Sequence, residues 1–160
     1  MFVPFDKLSN KARIWIYPSS RPFTETEKAE ITQKLKDFIT QWTAHGASLE
    51  ASFSLPYNRF IVIALDENTQ SATGCSIDAS VRVIQELENT YKIVLLDKMN
   101  VSFKQGEFIT YKSISDFKAM VKNKSVTENT IVFNHLVLNK GEFLSHWEVA
   151  AKDSWHARYF

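Results

Sequence analysis

One cysteine, four glycines and four prolines in 160 residues remove several kinds of protein at once. A lone Cys75 cannot close an internal disulfide, so no disulfide framework holds this chain together. So little glycine and proline leaves no room for a Gly/Ser linker or a low-complexity segment. No G-x-x-x-x-G-K and no G-x-G-x-x-G occurs, which removes the backbone cradle that wraps a nucleotide's phosphates. Charge of one sign is not in excess either. The 19 Lys and Arg face 18 Asp and Glu, so net charge draws the protein to neither nucleic acid nor membrane. The longest apolar run, FIVIAL at residues 60–65, is far short of the roughly 20 residues that span a bilayer. The opening MFVPFDKLSN has no signal-peptide core. A soluble, cytoplasmic protein with no membrane partner is the expectation.

What is present is apolar and aromatic material, 44% and 13% of the residues, enough for a sizeable core. The chain reads as a single domain over 1–160, with a core at 11–104 and an extension at 105–160. RIWIYP is a first strand ended by Pro18. In TETE, Thr24 and Glu27 have the spacing of a capping box, and Ile31, Leu35, Phe38, Ile39 and Trp42 then fall on one helical face, with Gly46 as a stop. LEASFSL alternates as a half-buried strand, with Ser52 and Ser54 on its polar side, whereas RFIVIALDE is apolar throughout and reads as a central strand. A second amphipathic helix, with Ile77, Val81, Ile84 and Tyr91, opens at GCSID, and MNVSFK is a fourth strand. The order β-α-β-β-α-β predicts an α+β, ferredoxin-like sandwich with strands one and three central and a C-terminal α/β extension packed on it. In that extension GEFITYK is a hairpin partner, SISDFKAMVKN a third helix and TIVFNHLVL a strand. The closing SHWEVAAKDSWHARYF shows no assignable period.

IVIALDE imitates the strand that carries the acidic pair of a nucleotide-hydrolysing ATPase, but without a phosphate loop Asp66 and Glu67 read as the solvated end of a buried strand. The stretches WIYPSSRPFTETE, GCSID, TIVFNHLV and KDSWHARYF resemble a family of short uncharacterised bacterial proteins that often carry the label "ABC transporter ATPase". The resemblance runs from about Ile14 to Phe160. It implies no defined activity, and the phosphate loop and ABC signature that the label requires are both missing.

Cys75 is the sharpest catalytic candidate, because a thiol at a helix N-terminus faces the positive end of the dipole. A phosphatase-like loop would place five residues between cysteine and arginine. Here six separate Cys75 from Arg82, and Asp78 inside the loop would repel an anion. The structural reading makes Ser76 the N-cap, Asp78 a first-turn residue and Cys75 a small buried hydrophobe. His45, His135, His146 and His156 show no metal-ligand spacing, and Asp153 with His156 is a dyad by proximity alone. Trp15, Tyr17 and Phe60 occupy strand positions where RNA-binding sheets stack bases, yet the basic interleaving of such modules is missing.

The sequence therefore points to a binding or interaction module for a small ligand or a protein partner, with no cofactor or metal and no nucleotide hydrolysis, and it leaves a homodimer open. The expected site is the junction of the IALDE strand with the GCSID helix, where Arg21, Asp66, Gly74, Cys75, Ser76 and Asp78 would gather. The alternative is an enzyme with Cys75 as nucleophile, and single-stranded nucleic-acid binding comes third.

Overall fold

The computed structural model describes residues 1–160 and shows a mixed α/β chain with antiparallel sheets. It divides into two compact units, Met1–Leu96 with Leu138–Gly141, and Asp97–Val137 with Glu142–Phe160. No helix is long and apolar enough to cross a membrane.

In the first unit β1 (Arg13–Pro18) leads to α1 (Glu25–Gln41), a hairpin of β2 (Thr43–Ala44) and β3 (Ala47–Ser48), β4 (Glu50–Ser54), β5 (Phe60–Asp66) and α2 (Gly74–Tyr91). The Thr24 capping box forms as its spacing predicts, with Glu27 N–H donating to Thr24 Oγ1 at 3.1 Å and Thr24 N–H to Glu27 Oε1 at 2.9 Å. Ile31, Leu35 and Ile39 form the buried stripe of α1. Gly46 does not stop this helix, which ends at Gln41. With His45 it makes instead the two-residue turn of the β2–β3 hairpin, both residues at positive φ, as a hairpin turn that follows the strand twist demands.

The sheet order is β1-β5-β4, so the apolar β5 is central as its composition implies. Tyr17, Ala51, Ile61, Ile63 and Leu65 pack with Ile31, Leu35, Ile39, Ile84 and Leu87 of the two helices into one core. The other face is closed as well. Ile14, Ala64 and Ser52 share one row and are nearly or fully buried, and the Ser52 hydroxyl, expected on a polar face, is buried without a hydrogen-bond partner.

The first and third of the expected strands thus lie side by side, but the expected fourth strand does not complete the sheet. The residues 100–105 pair elsewhere, and the outer edge of β1 is met by the returning chain, where Arg13 bridges Asn139 and Ile14 N–H donates to Leu138 O at 3.0 Å. Lys140 continues this clasp. Its backbone N–H donates to Ala12 O, and its buried ammonium donates to Leu8 O at 2.8 Å and Asp6 O at 3.3 Å beneath the Phe5 ring.

The second unit is built on a sheet of order β7-β6-β8-β9, with β6 (Asn100–Gln105), β7 (Phe108–Ser113), β8 (Ile131–Phe133) and β9 (Glu148–Ala150). Gly106, at φ 62°, turns β6 into β7. α3 (Ile114–Lys122) lays Phe117 into a core with Val101, Phe103, Val126, Val132 and Ala151. The short α4 (Lys140–His146) precedes β9, and the C-terminal segment, which has no helical or strand period in the sequence, forms two 3₁₀ turns, Ala151–Asp153 and Trp155–Tyr159.

Candidate functional site: a cleft at the start of the second helix

The end of α1, the β2 turn and the first turn of α2 enclose an open cleft of about 590 Å³. Phe38 and Trp42 are its aromatic lining. Trp42 caps the C-terminus of α1, is only 3% exposed, and donates its indole N–H to Ser76 O at 2.8 Å, which locks one wall to the other. Phe38 leans on the same indole at a centroid distance of 5.1 Å, and Trp15 supports it from the strand side at 6.3 Å. The rim is polar and carries no carboxylate, with Gln41, Thr43 and His45 on one side and Thr73, Gly74 and Cys75 on the other.

The first turn of α2 explains the second wall. Thr73, not Ser76, is the N-cap. Ser76 N–H donates to Thr73 Oγ1 at 3.1 Å, and Thr73 N–H donates back to Ser76 Oγ at 2.7 Å, a capping box with serine in the place usually taken by Glu or Gln. Ser76 is therefore buried, and the expectation that it caps the helix is corrected by three residues. The box leaves the Gly74 and Cys75 amides outside it, and both residues are exposed and line the cleft. A side-chain carbon added at Gly74 would meet nothing within 4 Å, so that wall is open to a ligand.

Of the six residues expected at the site, Gly74, Cys75 and Ser76 line the cleft. Cys75 is exposed and not the small buried hydrophobe of the sequence reading, because the N-cap shift rotates it off the core face and puts Ser76 there. Asp78 is exposed and outside the lining. Asp66 turns its carboxylate back on its own loop and accepts from Asn68 N–H at 2.9 Å. Its neighbour Glu67 accepts from Ala72 N–H at 2.9 Å and approaches Arg13 at 3.9 Å. Both carboxylates thus shape the loop into α2. Arg21 lies at the opposite end of α2, where it binds Glu27 and the Tyr91 carbonyl. At 1.5 Å per residue the helix sets these two ends roughly 26 Å apart.

The sequence reading did not assign Phe38, Trp42 or His45 to a site. Gly46 directly after His45, between Ala44 and Ala47, was the one readable sign of a turn that would stand His45 clear of a helix. Cys75 and His45 both line the cleft, yet no hydrogen bond joins them, so the thiol is not engaged by a general base.

The remaining histidines do not add to this site. No group of three or more His, Cys, Asp or Glu side chains is placed to hold a metal ion. His146 is exposed and shares a hydrogen bond with Ser145 Oγ. His156 pairs through Nδ1 with Ser154 Oγ and not with Asp153, because the 3₁₀ turn brings the serine inward while Asp153 stays exposed. Of the candidate base-stacking positions, Tyr17 and Phe60 are buried core residues and Trp15 is half-buried beneath the Arg13 guanidinium, and burial pushes the Tyr17 phenol up to about 12. Comparison with family models, with curated proteins and with solved structures finds no match to this chain.

Proposed function

We propose that the chain is a binding module whose cleft at the start of α2 takes a small, flat ligand with an apolar body and a hydrogen-bonding, preferably anionic, edge. The observation that carries this reading is the cleft itself, whose lining joins Phe38 and Trp42 to the polar Gln41, Thr43, His45 and Thr73 and contains no carboxylate. Sites for small molecules combine mostly apolar walls with a few fixed polar groups in this way. Gly74 and Cys75, with their amides outside the capping box, sit at the positive end of an 18-residue helix, which favours a carboxylate over an amine on that side. The β1-β5-β4 order supports reading the first unit as a ferredoxin-like sandwich with residues 138–139 at the fourth-strand position. A single thiol without a partner cysteine supports a reducing compartment, the cytoplasm.

Amide NMR with benzoate, 2-naphthoate and indole-3-acetate as probes tests the reading. Saturable shifts confined to His45, Gly74, Cys75 and the Trp42 indole are expected, and they should vanish in Gly74→Leu. Shifts scattered over the surface, or unchanged in that variant, overturn it. Titration with a non-hydrolysable ATP analogue and magnesium should show no saturable binding, since no glycine-rich loop lies between β5 and α2.

The exposure of Cys75 on the cleft wall favours one second reading, an enzyme with this thiol as nucleophile. The Cys75→Ser variant separates the two. A module keeps its affinity for the probes, whereas an enzyme keeps affinity and loses turnover.

A further inference from the structure

The last seven residues of the second unit, 154–160, are held to it by ring packing alone. Their backbone hydrogen bonds stay local, from Ser154 to Ala151, Ala157 to Ser154 and Phe160 to Ala157. The last backbone bonds that reach another part of the unit are those from Ala151 to Thr130 and from Lys152 to Glu128. Beyond them, His156, Tyr159 and Phe160 stand edge-on against the Phe117 ring at centroid distances of 6.0, 6.2 and 6.1 Å, and the Lys118 ammonium sits over Tyr159.

His156 is the centre of this packing, and it has no exposed surface. Its ring stacks on Trp155 at 3.8 Å, and His135 stands edge-on to the same indole at 5.3 Å. Nδ1 shares a hydrogen bond with Ser154 Oγ at 2.8 Å, but Nε2 is buried without a partner, and so is the indole Nε1–H of Trp155. A neutral imidazole can be accommodated there at the cost of one unmade bond. A protonated one cannot, because its second N–H⁺ finds no acceptor and no counter-charge. The charged groups around it are of the wrong sign or turned away. Arg158 and His135 act on His156, and Lys98 acts on His135. α3 contributes Lys118 and Lys122, the preceding turn contributes Lys152, and the carboxylates of Asp116 and Asp153 are exposed and form no ion pair.

We propose that residues 154–160 form an acid-released strap, shut while His156 and His135 are neutral and opened by proton uptake at either ring. Release would bare the Phe117 face together with Trp155 and Tyr159. Burial first, then the neighbouring positive charge, holds His156 down at about 3 and His135 at about 4, against an ordinary value near 6.5. The sign follows directly. The free strap takes up protons near pH 6.5 and the closed one only near 3 to 4, so closure is complete above 6.5 and is lost as the pH falls below it. The His156 imidazole alone multiplies the opening constant by about ten for every pH unit in that window.

Hydrogen exchange by NMR on the native full chain measures this opening, with the intrinsic exchange rate divided out. Between pH 7.5 and 5 the opening constant at the Trp155 indole and the Ala157 and Phe160 amides should rise by at least about thirtyfold, while the β6–β7 amides hold steady. No rise, or an equal rise in β6 and β7, overturns the strap. A His135→Phe, His156→Phe double variant should show a flat profile, and a slope that persists in it also overturns the proposal. Should that chain not fold, the ring titration of native His156 decides. Protonation in step with strap opening supports the strap, and protonation near 6.5 with the strap still protected refutes it.

Discussion

Arg21 and Glu27 meet in a two-pronged ion pair, Nη1 to Oε1 and Nη2 to Oε2 each at 2.8 Å, and the same Nη2 also donates to the Tyr91 carbonyl at 2.7 Å. One guanidinium therefore ties the start of α1 to the end of α2. The Arg21 bond, followed by the backbone bond from Thr24, holds the Glu27 carboxyl down at about 2.

A pH-dependent loss of stability should follow from this pair. The folded-state value lies below the ordinary carboxylate value, so the contribution is present above about pH 4.5 and is lost as the pH falls toward 2. Because the Arg21 side chain is 40% exposed, solvent screening limits its worth to about 1 kcal/mol. In denaturant titrations Arg21→Ala should be less stable by that amount at pH 7, and the gap from the parent chain should close as the pH is lowered through this window. An unchanged gap at pH 2.5 would show that the loss comes from elsewhere.

Cys75 should alkylate readily in the native state. Its exposed thiol has no packing to shield it, so at pH 7 the rate with a maleimide should lie within about tenfold of that of the unfolded chain. Arg21→Ala should leave this rate alone, since Arg21 is a helix length away. A native rate lower by several orders of magnitude would contradict the exposed placement.

Lys140→Met tests the clasp on the first unit. Methionine keeps the apolar stem but leaves the Leu8 and Asp6 carbonyls without their donor. An unpaired buried acceptor costs about 1 to 3 kcal/mol, and the loss should be of that size. Proteolysis should then be faster near residues 5–8. If the midpoint of unfolding does not move, the ammonium is not a structural pin.

Elements that announce themselves by period or cap were readable in the sequence. The Thr24–Glu27 box, the α1 stripe, the apolar β5 and the GEFITYK hairpin stand where their patterns put them. What escaped depends on partners distant in the chain. Residues 100–105 alternate as a strand should, but alternation does not say which edge they join. Lys140 reads as a surface lysine, since nothing local shows that two carbonyls more than a hundred residues away await it. At the site the error was a shift of the N-cap. Thr73 and Ser76 are both good caps, and choosing the later one turned Cys75 from the cleft wall into the core. Nearness to the GCSID helix made Asp66 look like a site residue, and Arg21 was set beside it from its own SSRPF loop, while loop closure and an ion pair claim them.

The clasp has a consequence for synthesis on the ribosome. β1, β4, β5 and both long helices have emerged well before Leu138, yet the outer edge of β1 meets its partner only when residues 138–140 arrive. Until then the nascent first unit carries a bare strand edge, open to wrong pairing with a neighbouring nascent chain. The final stitch of the first-made unit is thus written well downstream of Leu96 in the message, and a chain cut short after Leu96 would carry a finished helical layer and an unguarded sheet.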